Sequence, residues 1–253
     1  LVCESTYGNR EHVPIDQEAE LAPIIRRVAA RGGVIVIPAF AIGRAQALML
    51  HIARLRERKD IPRVPVYLNS PMAINATRHY HAHHSEHHVS EEDCQRMFDV
   101  ATFVNTVEES KALNRQRGPM IIISASGMAT GGRVLHHIEA FGPDDRNAIL
   151  LAGYQAGGTR GAALAAGKRT LRMFGREVPI RAEVVQLEGF SGHADAGELL
   201  DWMRTAPSAP RVVYLTHGEP DAADTLRGRV QRELGWRARV PEHLERVGLE
   251  DAR

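Results

Sequence analysis

Cysteine is scarce in this chain, which has only Cys3 and Cys94 among its 253 residues. The two lie far apart and neither belongs to a Cys-x-x-Cys pair, so the sequence indicates neither a disulfide framework nor a cysteine zinc site. Long apolar runs are absent too: a helix needs roughly 20 apolar residues to cross a bilayer, and the longest run here extends only over residues 34–42. The start of the chain lacks the features of a signal peptide. We therefore expect a cytoplasmic protein with no membrane partner.

Lysine is also rare, because only Lys59, Lys111 and Lys168 occur among 32 basic residues and the others are Arg. The planar guanidinium of Arg matches the geometry of phosphate oxygens, so this excess is compatible with phosphate recognition. A GC-rich coding sequence would produce the same excess. The formal net charge of +1 is too small to indicate nucleic-acid binding by itself.

Short apolar runs alternate along the chain with stretches of helical periodicity. Residues 33–38, 120–124 and 147–152 are almost entirely apolar, which is typical of strands buried on both faces of a parallel sheet. Helical spacing is found at residues 16–31, 43–58, 71–88, 132–141, 195–204 and 221–235. Further strands are expected at residues 64–68, 181–187 and 211–215. The alternation predicts an α/β protein with a doubly wound parallel sheet.

A histidine follows the last of these strands. His217 comes just after the strand at residues 211–215 and precedes Gly218. Ligands collect at the carboxyl ends of strands in α/β sheets, and neutral imidazole is the commonest zinc ligand in proteins. His217 is therefore a candidate metal ligand, although a capping or packing histidine is the ordinary alternative for such a position.

A second histidine and a carboxylate suggest acid catalysis. His193 follows Gly192 and stands two residues before Asp195, which suits the start of the next helix. An imidazole can donate a proton to a leaving oxygen. Glu4 lies in a turn at the edge of the predicted sheet, and a carboxylate beside an imidazole stabilises the protonated ring and fixes its orientation. Taken alone, each residue is a weak signal, and Glu4 could be a turn carboxylate.

Two glycine-containing loops, at residues 124–133 and 153–161, follow apolar strands and contain arginines. Backbone amides at a helix N-terminus beside an Arg form a site for anions such as phosphate. Glycine-rich loops occur in many proteins, so these loops indicate phosphate binding only in combination with other features.

Seven segments of the chain together match one family. In chain order they lie at residues 4–8, 37–46, 69–72, 126–133, 153–161, 191–195 and 216–219. With these motifs the sequence resembles the beta-CASP family of metallo-β-lactamase-fold nucleases, which includes the mRNA 3′-end processing endonuclease of eukaryotes and its single-chain bacterial relatives. The resemblance implies that residues 1–11 end a metallo-β-lactamase segment, that residues 12–180 form the beta-CASP domain, and that residues 181–253 are the C-terminal return segment of the metallo-β-lactamase fold.

The resemblance also implies a zinc-dependent ribonuclease that hydrolyses RNA phosphodiester bonds. Glu4 occupies the family's acidic position, His193 that of the histidine that protonates the leaving group, and His217 that of a ligand to one of two zinc ions. RNA is the expected partner, and a homodimer is left open. The residues expected to hold the RNA phosphates are Arg44, Ser126, Gly127, Gly131, Gly132, Arg133 and Arg160.

The chain departs from the family's pattern in its metal ligands. The family's His-x-His-x-Asp-His loop, a further histidine and a bridging Asp all precede the Glu4 motif, and none can be placed here. We therefore expect an upstream segment to supply them, and little or no activity from this chain alone. A smaller departure is Ala162, where relatives often have a basic residue.

The histidine-rich segment at residues 79–88 does not replace the missing loop. Ser85 and Glu86 occupy the places of the required Asp and His. Its histidines at helical spacing, such as His79, His83 and His87, could hold a stray metal ion, but a solvated helix face is the favoured interpretation.

Two other functions remain to be weighed. A non-catalytic RNA-binding or scaffold protein of the same family would not need Glu4, His193 and His217 together, so their joint presence favours the enzyme. Hydrolysis of a small substrate such as a lactam or thioester would leave the glycine loops without a use.

Overall fold

The computed structural model describes residues 1–248, which are divided between two compact units. The larger unit extends from Ile15 to Ser191, and the smaller unit combines Leu1–Pro14 with Gly192–Arg253. Within the described part of the chain, no helix is long and apolar enough to cross a membrane.

The strands and helices alternate along most of the chain. The strands are β1 (Val2–Glu4), β2 (Val34–Pro38), β3 (Val66–Leu68), β4 (Thr102–Phe103), β5 (Met120–Ser124), β6 (Ala148–Ala152), β7 (Thr170–Met173), β8 (Arg176–Pro179), β9 (Glu183–Leu187), β10 (Val213–Thr216) and β11 (Ala238–Arg239). The α-helices are α1 (Gln17–Ala30), α2 (Arg44–Glu57), α3 (Pro71–Ala82), α4 (Glu91–Asp99), α5 (Val107–Leu113), α6 (Arg133–Phe141), α7 (Arg160–Ala165), α8 (Ala196–Arg204) and α9 (Pro220–Arg229). A 3-10 turn (His84–Glu86) and a π-helical turn (Val230–Leu234) complete these elements.

The larger unit is built on a six-stranded, wholly parallel sheet in the order β4-β3-β5-β2-β6-β9. At the centre, Ile35 of β2 is in register with Ile121 of β5 and with Ala148 of β6. The three central strands are fully buried, as their continuous apolar runs predict. Beside the sheet, β7 and β8 form an antiparallel hairpin.

Helices cover both faces of this sheet. Successive side chains of a strand point to opposite faces, so Ile35 and Ile37 pack in the core with α1 to α4, whereas Val34 and Val36 pack with α5, α6 and α7. The expected doubly wound α/β sheet is confirmed. Because α2 leaves β2 on one face and α6 leaves β5 on the other, the loops after these two neighbouring strands diverge at their carboxyl ends, where such sheets bind ligands.

The smaller unit has a three-stranded parallel sheet in the order β1-β10-β11. Helices α8 and α9 pack on it through Leu200 and Leu226, which are fully buried. Asp195 caps α8 and exchanges hydrogen bonds with Glu198 in a capping box, so this helix begins where the sequence places it.

Some elements differ from expectation. The helix expected at residues 71–88 ends at Ala82, and a 3-10 turn then leads to the separate helix α4, which Ser90 caps. Strand β9 pairs with β6 along its whole length, and residues 183–187 lie in the larger compact unit. The compact units therefore divide after Ser191. The assignment of residues 181–253 to the C-terminal return segment stays a prediction. The end of that assigned segment, residues 249–253, lies outside the described residues.

Candidate active site

Parallel strand pairing in the smaller unit brings the two ends of the sequence together. Strands β1 and β10 are neighbours, and Glu4 is in register with Thr216. The residues just after each strand, which include Thr6 and His217, therefore meet at the carboxyl end of the sheet. An isolated parallel bridge between Tyr7 and Asp195 brings the loop that contains His193 to the same edge.

Glu4 and His193 form a carboxylate–imidazole pair, with 3.1 Å between Glu4 Oε1 and His193 Nδ1. The other carboxylate oxygen accepts a hydrogen bond of 2.9 Å from the backbone N–H of Thr6. Burial by itself raises the pKa of Glu4, but hydrogen bonds from Thr6 and the neighbouring His193 outweigh burial and leave that pKa below its ordinary value. Glu4 is therefore an ionised acceptor that holds the His193 ring.

His217 has an unusual backbone conformation, with a φ of +55°. A non-glycine residue in this left-handed region costs roughly 1–2 kcal/mol, so neighbouring contacts must hold it there. The hydroxyl of Ser5 donates to Thr216 O at 2.8 Å, and the hydroxyl of Thr6 contacts His217 O at 3.0 Å. Gly218 follows, where a Cβ would stand 2.5 Å from Ser5 O, so only glycine permits this close approach.

The three predicted side chains offer donors of the kind that zinc binds. One ligand atom from each of Glu4, His193 and His217 lies within 4.8 Å of the other two. The two imidazole rings stand 5.5 Å apart, and His217 is exposed. One carboxylate and two imidazoles at a strand end fit zinc chemistry, although the Glu4 carboxylate is already engaged by His193 and Thr6.

A second group of possible donors has a structural explanation. His12, Asp195 and Glu198 also lie within 4.8 Å of one another. Asp195 accepts from the backbone of Glu198 and of His12, while Glu198 accepts from the backbone of Asp195. These bonds are those of a helix cap, and the group gives no separate indication of a metal.

The glycine loop after β5 satisfies much of its hydrogen bonding internally. Ser126 Oγ accepts from the backbone N–H groups of Thr130 and Gly131, at 3.1 and 3.4 Å. Gly127 lies against the Phe40 backbone so closely that a Cβ would stand 2.9 Å from Phe40 N. Gly132, with a φ of +79°, leads into α6.

The three expected phosphate-binding arginines differ in their surroundings. Arg133 donates to Asn69 Oδ1, Val104 O and Asn105 O, at 2.8, 3.1 and 2.7 Å.

Arg160 donates to the backbone carbonyls of Arg172, Ala129 and Thr130. The guanidinium of Arg44 lies beside Gly153, with Nη2 at 3.6 Å from the position of an added Cβ. Arg133 and Arg160 thus use donors to hold loops of the larger unit, a role that the sequence did not reveal.

The histidine-rich segment does not form a metal-binding cluster among the described residues. His79 and His83 stack with ring centroids 6.5 Å apart, but α3 ends at Ala82 and His87 is extended. The regular helical spacing on which a stray metal site would depend therefore ends at Ala82.

Thr6 is the residue that sequence reasoning missed. Its side chain is buried and its hydroxyl contacts both His193 and His217. Within the motif Glu4 to Gly8 nothing distinguishes this Thr from an ordinary turn residue, because its contacts depend on residues about 190 and 210 positions further along the chain.

The fold and the site define a class of protein, an α/β protein that gathers one carboxylate and two imidazoles, side chains suited to acid–base or metal chemistry, at strand ends. Family comparison agrees: the Beta-Casp domain matches residues 45–164, and the Zn-dependent metallo-hydrolase RNA specificity domain matches residues 177–241. The chain belongs to the beta-CASP family of metallo-β-lactamase-fold ribonucleases.

Curated relatives share most of this chain. Ribonuclease TTHA0252 of Thermus thermophilus is 39% identical over 229 residues, which cover 87% of this chain and 52% of the relative. Transcription termination factor FttA is 31% identical in Methanosarcina mazei and 32% in Pyrococcus horikoshii, over 98% of this chain and 41% and 40% of those proteins. The chain thus spans about half the length of the ribonuclease and less than half the length of the two termination factors.

Proposed function

We propose that this chain is part of a zinc-dependent ribonuclease that hydrolyses RNA phosphodiester bonds. The single observation that carries the proposal is the convergence of Glu4, His193 and His217 within 4.8 Å of one another at one strand edge. The family consists of RNA-specific, zinc-dependent metallo-hydrolases, and one relative is named a ribonuclease. A scaffold protein would gain nothing from an acid–imidazole pair beside a third ligand-type side chain.

His193 is the proposed general acid. The ionised Glu4 carboxylate at 3.1 Å from Nδ1 orients the protonated ring. From that state His193 gives a proton to the oxygen that leaves when the phosphodiester bond breaks, which avoids the release of an unprotonated alkoxide.

His217 is the proposed zinc ligand, through the ring nitrogen that does not contact Thr6. Bound zinc would supply an activated water and stabilisation of the charge on the phosphate oxygens. The proposal includes two ions in the complete site, with most ligands supplied from outside residues 1–253. For that reason we expect these residues alone to cleave RNA very slowly or not at all.

The larger unit is proposed to hold RNA phosphates at the loops that follow its strands. Arg44 and the backbone of Gly127, Gly131 and Gly132 are the proposed donors at the carboxyl end of the sheet, where ligands of α/β folds bind, and the N–H of Gly131 shares its hydrogen with Ser126 Oγ. Arg133, Arg160 and Ser126 support the same surface by shaping its loops, and any phosphate contact from them would add to their internal bonds. A cytoplasmic setting is supported by two buried, unpaired cysteines; a homodimer stays a prediction.

The test is an RNA cleavage assay on the protein encoded by the full reading frame that contains this chain. We expect cleavage that a chelator abolishes and zinc restores. His217→Ala should reduce zinc content and cleavage together, while His243→Ala, an exposed histidine of the same compact unit, should change neither. RNA binding with no zinc-dependent cleavage by the unsubstituted protein would refute the enzyme and favour the scaffold.

A further inference from the structure

The geometry points to Thr6 as the positioning residue that sets which nitrogen carries the proton in both His193 and His217. Its hydroxyl holds each imidazole with hydrogen on Nδ1 and thereby leaves Nε2 of each ring as the reactive nitrogen. The catalytic meaning of this arrangement rests on the proposed ribonuclease function, but the arrangement itself is a property of the metal-free chain.

The Thr6 hydroxyl lies between the two rings. Its oxygen is 3.3 Å from His193 Nδ1, 3.1 Å from His217 Nδ1 and 3.0 Å from the backbone carbonyl oxygen of His217. Only 4% of Thr6 is exposed, so these contacts are shielded from competing water.

The direction of the hydrogen bonds follows from the number of protons. A hydroxyl has one hydrogen to donate and two lone pairs with which to accept. The carbonyl of His217 can only accept, so the Thr6 hydrogen is directed to it. The hydroxyl oxygen is then an acceptor for both rings, and each Nδ1 must carry a hydrogen to complete its bond.

A second acceptor supports the same assignment at His193. Its Nδ1 is 3.1 Å from Glu4 Oε1, and an ionised carboxylate can only accept. Glu4 is itself held by the backbone N–H of Thr6, so one residue fixes both the carboxylate and the hydroxyl that His193 Nδ1 faces. His217 differs, because among the contacts of the described residues its Nδ1 has only the Thr6 hydroxyl as partner.

The consequence is a common orientation for two different roles. A neutral imidazole with hydrogen on Nδ1 presents a lone pair on Nε2, which is the form that binds a metal ion. The same tautomer in His193 places the transferable proton of the charged ring on Nε2, away from Glu4.

Two substitutions separate the hydroxyl from the shape of the side chain. Thr6→Val keeps the branched shape in a buried position but removes the acceptor. Thr6→Ser keeps the hydroxyl and removes only a methyl group. Both retain the backbone N–H that binds Glu4.

The direct measurement is the ¹⁵N NMR spectrum of the histidine side chains in the metal-free 253-residue chain, recorded where the imidazoles are neutral. His193→Gln and His217→Gln variants assign the two rings. In the unsubstituted chain both should carry hydrogen on Nδ1. In Thr6→Val the tautomer ratio of His217 should move roughly fivefold or more toward Nε2–H, the effect of losing one ordinary hydrogen bond. His193 should move less because Glu4 remains, and Thr6→Ser should resemble the unsubstituted chain.

Several results would overturn the inference. His217 with hydrogen on Nε2 in the unsubstituted chain would contradict it directly. So would unchanged tautomers in a folded Thr6→Val variant, or a Thr6→Ser variant that behaves like Thr6→Val. A Thr6→Val chain that does not fold leaves the spectrum of the unsubstituted chain and that of Thr6→Ser as the deciding tests.

Zinc affinity of the full-reading-frame protein gives an independent result. Loss of a hydrogen bond to a ligand histidine typically weakens metal binding about 10–100-fold, so we expect that loss for Thr6→Val and recovery for Thr6→Ser. Equal zinc affinity in all three proteins would contradict the inference. Absence of RNA cleavage with the expected tautomers would instead refute the proposed function and leave the role of Thr6 intact.

Discussion

The smaller unit directs the side chains of Glu4, His193 and His217 toward one another at a strand edge, and His217 is exposed there. In the larger unit, by contrast, Arg133 and Arg160 donate to backbone carbonyls of their own unit. Both sets of residues follow strands and lie in glycine-containing motifs. A strand end can therefore gather polar side chains, and the acceptors nearby decide whether an arginine there is engaged within its own unit.

Two histidines, His193 in the smaller unit and His137 in the larger unit, differ in the same way. His193 is about one-third exposed beside its carboxylate, whereas His137 of α6 is fully buried between two asparagines. Asn69 Oδ1 accepts a hydrogen bond from Arg133, and the amide N–H of Asn69 therefore points toward His137 Nε2, with 2.7 Å between the two nitrogens. His137 must accept that hydrogen bond, and so it is held neutral.

The largest effect is expected at the proposed acid. His193→Gln in the full-reading-frame protein should lower the rate of RNA cleavage about 10²–10⁴-fold, because general acid catalysis contributes that much. Zinc content should stay near that of the unsubstituted protein. Cleavage rates under saturating RNA provide the measurement, and His243→Gln serves as the control. A loss below about tenfold would place the proton transfer elsewhere.

The second prediction concerns the pH dependence of stability that the buried His137 causes. Burial, with smaller contributions from the charges of His136 and Arg133, lowers the pKa of His137 from 6.5 to about 4. The unfolded chain therefore binds a proton at a pH where the folded chain does not. The contribution of neutral His137 to the free energy of unfolding is fully present above pH 6.5. It is lost as the pH falls toward 4, and the loss is about 3 kcal/mol in all.

Urea unfolding measured across that pH range tests the expectation. In His137→Gln the corresponding part of the pH dependence should disappear. His136→Gln, a change at the exposed neighbouring histidine, should retain most of it, because burial of His137 is the largest cause of the lowered pKa. Equal pH dependence in His137→Gln and in the unsubstituted chain would show that His137 is not held neutral.

A third prediction tests the architectural role of the arginines. Arg133→Ala leaves the carbonyls of Val104 and Asn105 and the Asn69 side chain without their donor. We expect a loss of about 1–3 kcal/mol in the free energy of unfolding, as is typical when partners lose their hydrogen bonds. Urea titration measures it, with the exposed Arg115→Ala as control. A fully stable Arg133→Ala protein with weakened RNA binding would instead make Arg133 a phosphate ligand.

The smallest effect concerns the cap beside the proposed site. Asp195 accepts from Glu198 N at 2.8 Å and is 5% exposed. Asp195→Ala should cost about 1 kcal/mol of stability, the usual result of removing a helix cap. Asp201→Ala, on the exposed side of the same helix, is the control and should stay within about 0.5 kcal/mol of the unsubstituted chain. If calorimetry gives equal losses of stability for Asp195→Ala and Asp201→Ala, Asp195 does not stabilise the helix as its cap.

The sequence predicts the three central strands of the larger unit well because these strands are fully buried. Met120–Ser124 was predicted with the same bounds, and Val34–Pro38 begins one residue later than expected. The short elements α4, β4 and the β7-β8 hairpin were not predicted. Their residues alternate between exposed and buried over too few positions to give a clear period.

The site was predictable only in part. Glu4, His193 and His217 were selected from motifs, and the parallel pairing of β1 with β10 brings them together. Thr6 could not be found in this way, because its contacts arise from that long-range pairing. The internal acceptors of Arg133 and Arg160 were equally hidden, since a guanidinium fits a carbonyl as well as a phosphate.

Anomalous X-ray diffraction from zinc-soaked crystals of the full-reading-frame protein would test most directly whether this strand edge is a metal site. We predict a zinc peak bonded to Nε2 of His217, with His193 and Glu4 beside it, and loss of that contact in His217→Ala. Zinc bound only at the histidines of residues 79–88, or a fully occupied site that leaves His217 uncoordinated, would contradict the account.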